Sequence, residues 1–494
     1  MSTPIFFSFS VSSLQLFYNT MEWEMVAGLE IHARIKTKTK MFCGCDNNTF
    51  GKEPNTQVCP VCMGFPGTLP VINAEAVRLG VMTALALGCH IPQFSKFDRK
   101  SYFYPDLPAG YQISQYDEPI SENGKVEFFV NGEKKSIRIN RLHLENDAGK
   151  LIHEGGMSLV DLNRAGSPLM EMVTEADFRS PEEIVAFLKE LQKILRTVGS
   201  SDADMEKGMM RCDVNISLRP KGQEAFGTKA EMKNMNSFGN IEKAVRAEIK
   251  RQKKILESGG IVEQETRGWD EAKGVTVSQR SKEEAADYRY FPEPDLPPIT
   301  FSEEDIAELK NALPELPAAK LERFVREYGL PWESAEILAG DKDLSEYFEA
   351  ATKTSGNAKK TANWIVGDIL AALKETEGGI EKCKLTAKNL GTMVAMIDAG
   401  DISGKIAKEI FPELLETGKN VEALVEEKGL KQVSDSGAIE KICREVLDEN
   451  PHMEEQFRAG KEKVLGALVG QVMKKSKGQA NPQMANEMLK KLLR

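Results

Sequence analysis

VAGLEIHAR (Val26–Arg34) is the stretch from which the fold can be read. Side chains alternate between the two faces of a strand. Leu29, Ile31 and Ala33 therefore share one face, and Glu30, His32 and Arg34 share the other. The same division recurs in RLHLEND, where Leu142 and Leu144 oppose Arg141, His143 and Glu145. In MRCDVNISLR, Cys212, Val214, Ile216 and Leu218 oppose Arg211, Asp213, Asn215, Ser217 and Arg219. In TKAEMKN, Ala230 and Met232 oppose Lys229, Glu231 and Lys233, and SPLMEMVTE adds Glu171 to an otherwise apolar segment. An apolar face backed by a charged one predicts an antiparallel sheet covered on one side. Two readings of the charged face stand. It is either an ordinary solvated surface or a surface that handles metal and phosphate. Carboxylates beside His, Arg and Asn, with two of the five histidines in Glu/His pairs two residues apart, are the argument for the second. Carboxylate oxygens hold Mg²⁺, and Mg²⁺ with Arg or Lys neutralises nucleotide phosphates.

Outward from these strands, short alternating runs continue from Met25 to about Asp295, with Asn131-Gly132 as a hairpin signal. Helical stretches interrupt them at AEAVRLGVMTALALG (74–88) and SPEEIVAFLKELQKILRTVG (180–199). The second opens with Ser180 as N-cap and Pro181 in the first position. Strands grouped with a few helices, without βαβ alternation, predict an α+β domain. PEPDLPP (Pro292–Pro298) is a natural boundary, because successive prolines stop both helix and central strand. Beyond it the periodicity is helical to the end, with Ser302 placed to cap EEDIAELKNAL and a second joint near DAGDISGK (Asp398–Lys405). The expected divisions are an extension at 1–20, a catalytic domain at 21–295, a helical domain at 296–405 and a helical tail at 406–494. Residues 1–20 carry no Lys or Arg and read as a non-essential extension ahead of Met21, or else as a short packing segment.

Net charge is −10 over 494 residues, which excludes nonspecific coating of nucleic acid but leaves room for local basic patches. No apolar run approaches a membrane span. There is no G-x-x-x-x-G-K-[ST]; SGNAKKT from Ser355 lacks the second glycine. Bound ATP would therefore lie on a sheet, held by metal and side chains. Four of the eight cysteines, Cys43, Cys45, Cys59 and Cys62, form C-x-C followed after thirteen residues by C-x-x-C. Two thiolate chelates on turns predict a structural Zn²⁺ site with no position open for water, in a reducing cytoplasm. A redox pair is the alternative.

GLEIH, FDRKSYFYPDLPAGYQISQYDEPI, LHLENDAGK, VDLNRAGSPLMEMVTEADFRSPEE, FGTKAEMKNMNSF, QETRGWDE and DYRYFPEPDLPP together resemble the B subunit family of aspartyl/glutamyl-tRNA(Asn/Gln) amidotransferase, from about Met25 to the C-terminus. The resemblance implies a cradle-shaped domain with a mainly antiparallel, glutamine synthetase-like sheet, then an all-α domain and a small all-α tail. It implies a ligase that works inside a heterotrimer. An A subunit hydrolyses glutamine, a small C subunit joins A to B, and B uses ATP and ammonia to amidate Glu-tRNA(Gln) or Asp-tRNA(Asn). It makes Glu30, His32, Glu145 and Glu171 the catalytic and Mg²⁺/ATP residues, with Arg211, Asp213, Lys229, Glu231 and Lys233 around them. It also carries zinc onto the four cysteines.

Arg99, Lys100, Tyr102, Tyr104 and Tyr111 mix cations with aromatics, as surfaces that stack bases do. They are the expected contacts of the tRNA acceptor end, or otherwise a packed loop. The last 35 residues carry eight Lys or Arg against two Glu, and Lys474, Lys475 and Lys477 are the expected tRNA-backbone contacts, or otherwise part of a solvated helix face. No glutaminase nucleophile set is present. Two rival functions remain: a non-catalytic, zinc-containing tRNA-binding scaffold, and a free-standing ligase acting on a free amino acid.

Overall fold

A computed structural model describes residues 21–281, 287–374, 378–431, 436–459, 461–476 and 480–493. The proposed extension at 1–20 and Lys477 lie outside them.

VAGLEIHAR falls within the long strand β1 (Trp23–Arg34) near the centre of an eight-stranded sheet. Its neighbours on one side are β10 (Met210–Pro220), β11 (Ala230–Lys233), β12 (Glu265–Asp270) and β13 (Val275–Ser281). On the other side are β9 (Pro168–Thr174), β6 (Glu133–Asn146) and β5 (Ser121–Val130). Every pairing is antiparallel except β11 with β12. The expected hairpin closes β5 onto β6, pairing Val130 with Glu133. Asn131 and Gly132 take φ of 51° and 81°, the left-handed pair that a two-residue turn of this hand requires.

The apolar face is buried as the alternation predicts. Leu29, Ile31, Val214 and Ile216 are fully buried, in one core with residues of three helices: α1 (Ala74–Ala86), α2 (Pro181–Val198) and α3 (Phe238–Glu257). Ser180 accepts from the Glu183 amide and Pro181 follows it, so α2 begins where the sequence places it. Gly199, in the left-handed region, ends it. Helices on this side leave the opposite face of the sheet for the charged residues.

A bulge sets the phase of β6. Ile137 and Ile139 point into the core, but Leu142 and Leu144 do so further along, at positions of the other parity. The register against β9 slips between Ile139 and Arg141, leaving Asn140 as the extra residue. Strict alternation from Ile137 and Ile139 through Asn140 would turn His143 and Glu145 toward the helices; the bulge keeps them on the other face.

A small three-stranded sheet lies beside this one, in the order β14 (Phe291–Pro292), β3 (Asp98–Ser101) and β4 (Tyr111–Ser114). Two short antiparallel pairs, β2 (Phe94–Ser95) with β15 (Ile299–Thr300) and β7 (Lys150–Glu154) with β8 (Met157–Asp161), complete the strands of the described residues. After the proline run, Leu296, Phe301, Ile306, Leu309 and Leu316 still pack on the core of the sheet, and the first compact unit ends at Ala319. The second unit, from Lys320, is helical. In its last part the helices Ser436–Glu449, Val464–Lys475 and Pro482–Leu493 share a core of Ile439, Cys443, Leu468, Val472 and Leu489. No helix of the described residues is long and apolar enough to cross a membrane.

Candidate active site on the open face of the sheet

Strand register assembles the charged residues into rows. His32 on β1 stands opposite Glu171 on β9, which stands opposite His143 on β6, while Arg211 on β10 flanks His32 on its other side. One step along β1, Glu30 pairs with Asp213, and Asn215 pairs with Glu231 on β11.

Two clusters of ligand-type groups result. In the first, donor atoms of His32, Glu145 and Glu171 all lie within 4.8 Å of one another. His32 Nε2 is 3.2 Å from Glu171 Oε2 and 3.8 Å from Glu145 Oε1. His143 Nε2 is 3.4 Å from the same Glu171 oxygen. Ser114 donates to Glu145 at 3.3 Å. In the second, donor atoms of Glu30, Asp213 and Glu231 also lie within 4.8 Å of one another. Lys233 Nζ sits 2.6 Å from Asp213 Oδ2 and 3.0 Å from Glu231 Oε1. Asn215 donates to Glu30 at 3.0 Å and Thr266 to Glu231 at 2.8 Å. Clustered carboxylates with one imidazole are a hard, oxygen-rich donor set of the kind Mg²⁺ takes.

Protonation follows from the packing. Burial pulls His143 down, but the Glu171 and Glu145 carboxylates outweigh it and hold the imidazole up at about 9. Burial and the same two carboxylates act on His32, which ends above its ordinary value despite nearby Arg211. Burial pushes Glu171 up, yet the two imidazoles bring it well below the usual carboxylate range. Burial likewise opposes Lys100, which the charges of Glu145 and Glu171 hold protonated.

His32 and Glu145 of the first cluster and Asp213 of the second line a cleft of about 580 Å³ that also takes in Lys100, Asp147, Arg211 and Lys233. Arg211 donates to the buried Asp147 at 3.1 Å, and its own side chain is 45% exposed. Lys229 is exposed at the foot of β11, near Glu231. The structure adds His143, Asp147, Asn215 and Thr266 to the residues expected. His143 had a signal, since it repeats with Glu145 the spacing of Glu30 and His32. Thr266 had none.

The four cysteine sulfurs Cys43, Cys45, Cys59 and Cys62 also lie within 4.8 Å of one another. The hydrogen bond from Cys43 brings the Cys62 thiol down to about 4, with Lys40 adding its charge, and the same bond pushes Cys43 up. Lys40 is fully buried, and its ammonium donates to Cys62 Sγ at 3.5 Å and to the carbonyls of Gln57 and Leu162 at 2.7 and 3.4 Å. Four thiols with a buried cation beside them suit a tetrathiolate Zn²⁺ site, whose excess negative charge Lys40 would offset.

The residues expected to touch tRNA divide. Arg99 forms a two-point ion pair with Glu293, reaches Asp295 at 2.9 Å and lies 4.1 Å over the Tyr111 ring, so both hold the small sheet to the proline run. Tyr104 and Phe103 are exposed, and Lys100 faces the cleft. Lys475 is paired with Glu445 and Glu449, whereas Lys474 is exposed.

Two family models match the chain: the GatB/GatE catalytic domain over residues 25–307 and the GatB domain over residues 346–493. Full-length relatives, each by name the B subunit of an aspartyl/glutamyl-tRNA(Asn/Gln) amidotransferase, are about half identical. Those of Thermodesulfovibrio yellowstonii and Persephonella marina are each 52% identical over 475 residues, covering 96% of this chain and all of the relative. That of Caldicellulosiruptor saccharolyticus is 50% identical over 481 residues, covering 96% and 99%.

Proposed function

The chain belongs to the B subunit family of aspartyl/glutamyl-tRNA(Asn/Gln) amidotransferase, and on that premise we propose that its open sheet face activates the side-chain carboxylate of Glu-tRNA(Gln) or Asp-tRNA(Asn) with ATP and amidates it with ammonia. The observation that carries this reading is the convergence of six ligand-type side chains from five strands into two clusters on one sheet face, with His32, Glu145 and Asp213 opening into one cleft beside Lys100, Arg211 and Lys233.

A carboxylate does not accept ammonia directly, because oxide is too poor a leaving group. In the proposed reaction a side-chain oxygen attacks the γ-phosphorus of ATP, the bond to the β-phosphate oxygen breaks, and ADP leaves. Ammonia then attacks the acyl carbon, the carbon–oxygen bond to phosphate breaks, and loss of a proton from nitrogen leaves the amide. The site must gather several negative charges at once. His32, Glu145 and Glu171, and beside them Glu30, Asp213 and Glu231, would hold Mg²⁺, which when bound neutralises phosphate oxygens. Lys233 is anchored between two carboxylates and keeps them at a fixed spacing. Arg211 and Lys100 stand at the rim to offset the phosphate and to orient the incoming carboxylate, and Lys229 extends the positive border.

The sheet unit, to Ala319, is read as a cradle of the glutamine synthetase kind, followed by a helical domain and a tRNA-binding tail (406–494), where Lys474 would meet the tRNA backbone. Ammonia comes from a glutaminase A subunit, since this chain carries no glutaminase nucleophile set. A small C subunit completes the cytoplasmic heterotrimer, and Zn²⁺ at the four cysteines shapes the knob beside the cleft. The test is a purified three-subunit assay with Mg²⁺, ATP and misacylated tRNA, scoring phosphorylation and amidation separately for Glu30→Ala and His32→Ala. Loss of ATP turnover with tRNA affinity preserved is the expected result. Retained turnover would return the chain to the scaffold reading, and amide formation on a free amino acid would favour the free-standing ligase.

A further inference from the structure

Aromatic rings line one wall of the cleft and continue out of it. Tyr116 stacks on Tyr290 with ring centres 4.3 Å apart and planes 12° from parallel. Tyr290 meets Tyr288 edge to face at 6.2 Å, Tyr288 meets Tyr102 at 6.3 Å, and Tyr102 stacks on Tyr104 at 5.7 Å. Tyr290 feels the charges of Lys100, Glu145 and Glu171, and the middle of the run, Tyr102 and Tyr288, lines the same cleft as His32. Both ends are open, with Tyr116 55%, Tyr104 53% and Phe103 74% exposed. Cations sit along the run: Lys100 Nζ lies 4.7 Å from the Tyr288 ring and the Arg289 guanidinium 5.7 Å from the Phe103 ring.

Three segments far apart in sequence, around residues 102–104, 116 and 288–290, supply these rings from the margins of the small β14–β3–β4 sheet. Phe103, Tyr104 and Tyr116, held half in water or more, forgo burial that a packed loop would take, and a contiguous exposed apolar surface calls for an occupant. A row of ring faces with interleaved cations suits unpaired nucleobases on a phosphodiester chain, because every base offers a π-face and no sequence needs to be read.

Resting on the tRNA reading above, we propose that the tyrosine row Tyr290–Tyr288–Tyr102–Tyr104 is a stacking platform for the unpaired 3′-terminal nucleotides of the aminoacyl-tRNA. The amino acid is esterified at the 3′ end, so its carboxylate reaches the Glu145/Glu171 cluster only if the last few nucleotides run along an entrance wall. The row is such a wall. It adds Tyr288 and Tyr290 to Tyr102 and Tyr104, two of the three tyrosines in the cation-and-aromatic pattern; the third, Tyr111, lies under Arg99 outside the row.

The test uses the assembled complex with the A and C subunits and tRNA carrying 2-aminopurine in place of its terminal adenine. Stacking quenches that fluorophore. Quenching is expected in the parent and in Tyr104→Phe, which keeps the ring face, and is expected to fall in Tyr104→Ala and Tyr288→Ala. Loss of one stacked base weakens binding by about 5- to 150-fold. The parent should lose at least that factor for tRNA lacking its last three nucleotides, and Tyr104→Ala should discriminate less between the two tRNAs. Undiminished quenching and discrimination in both alanine variants would overturn the platform while leaving tRNA binding intact. The platform is overturned equally if the alanine variants weaken ATP binding and leave the tRNA terminus unaffected, since the rings would then hold the nucleotide base of ATP. Failure of the parent complex to bind either tRNA would overturn the tRNA reading itself, and the platform with it.

Discussion

The cysteine knob and the carboxylate face are both clusters of metal-type ligands, and they are assembled in opposite ways. Cys43, Cys45, Cys59 and Cys62 come from one stretch of 20 residues and are brought together by local turns. Glu30, His32, Glu145, Glu171, Asp213 and Glu231 span some 200 residues and meet only because β1, β6, β9, β10 and β11 pair in one register. A turn carries its ligands with it, whereas a sheet must form completely before any of its carboxylates meet. Damage at the knob should therefore remain largely structural, while damage on the face should remain largely chemical.

The largest expected effect is on the face. Glu171→Ala should lower tRNA-dependent ATP turnover on the order of 10³-fold, by analogy with the loss of one preorganised electrostatic group, with tRNA affinity unchanged. Turnover within a few-fold of the parent would mean that the face is merely wet. At the knob, the Cys59→Ser/Cys62→Ser double variant should take zinc content from about one equivalent to about none, measured by atomic emission, and lower the melting temperature. If its ATP turnover fell as far as that of Glu171→Ala without loss of fold, the contrast between the two clusters would fail. Lys40→Met should be milder, weakening zinc binding by about 10- to 100-fold in a chelator competition.

A pH scan sharpens the comparison further. His143 is held up at about 9 in the folded protein against an ordinary 6.5. A raised folded-state pKa stabilises fully below the unfolded value and is lost as pH climbs through the folded one. The metal-free protein should therefore lose stability between about pH 6.5 and 9, and His143→Gln should flatten that part of a denaturation profile. A slope unchanged in the variant would show that the imidazole is not charged there. The smallest effect belongs to the tail. Lys474→Ala should reduce the salt slope of tRNA binding by about 1, and Lys475→Ala, whose charge is engaged with Glu445 and Glu449, should hardly move it.

Much of the site could be read in advance because period-two alternation is a local property. Glu30 and His32 share a face wherever β1 goes, and Asp213 and Glu231 follow the same rule. The mixed cation-and-aromatic stretch shows the limit of local reading: Arg99 and Tyr111 have the composition of a nucleic-acid surface and also tie β3 and β4 to Glu293 and Asp295. Nothing in FDRKSYFYPDL indicates that a carboxylate 194 residues away will meet that arginine.

By itself, then, the sequence determined the α+β class, the apolar and charged faces of each strand, the helical C-terminal half, the hairpin at Asn131-Gly132 and the grouping of the four cysteines. All of these depend on neighbours within a few residues. Only the tertiary structure decided which carboxylates meet, because that is set by strand order and register, and the bulge at Asn140 in β6 keeps His143 and Glu145 on the charged face. It also decided that Tyr288 and Tyr290 join Tyr102 and Tyr104 in one row, since the pairing of β14 with β3 brings together rings nearly 190 residues apart.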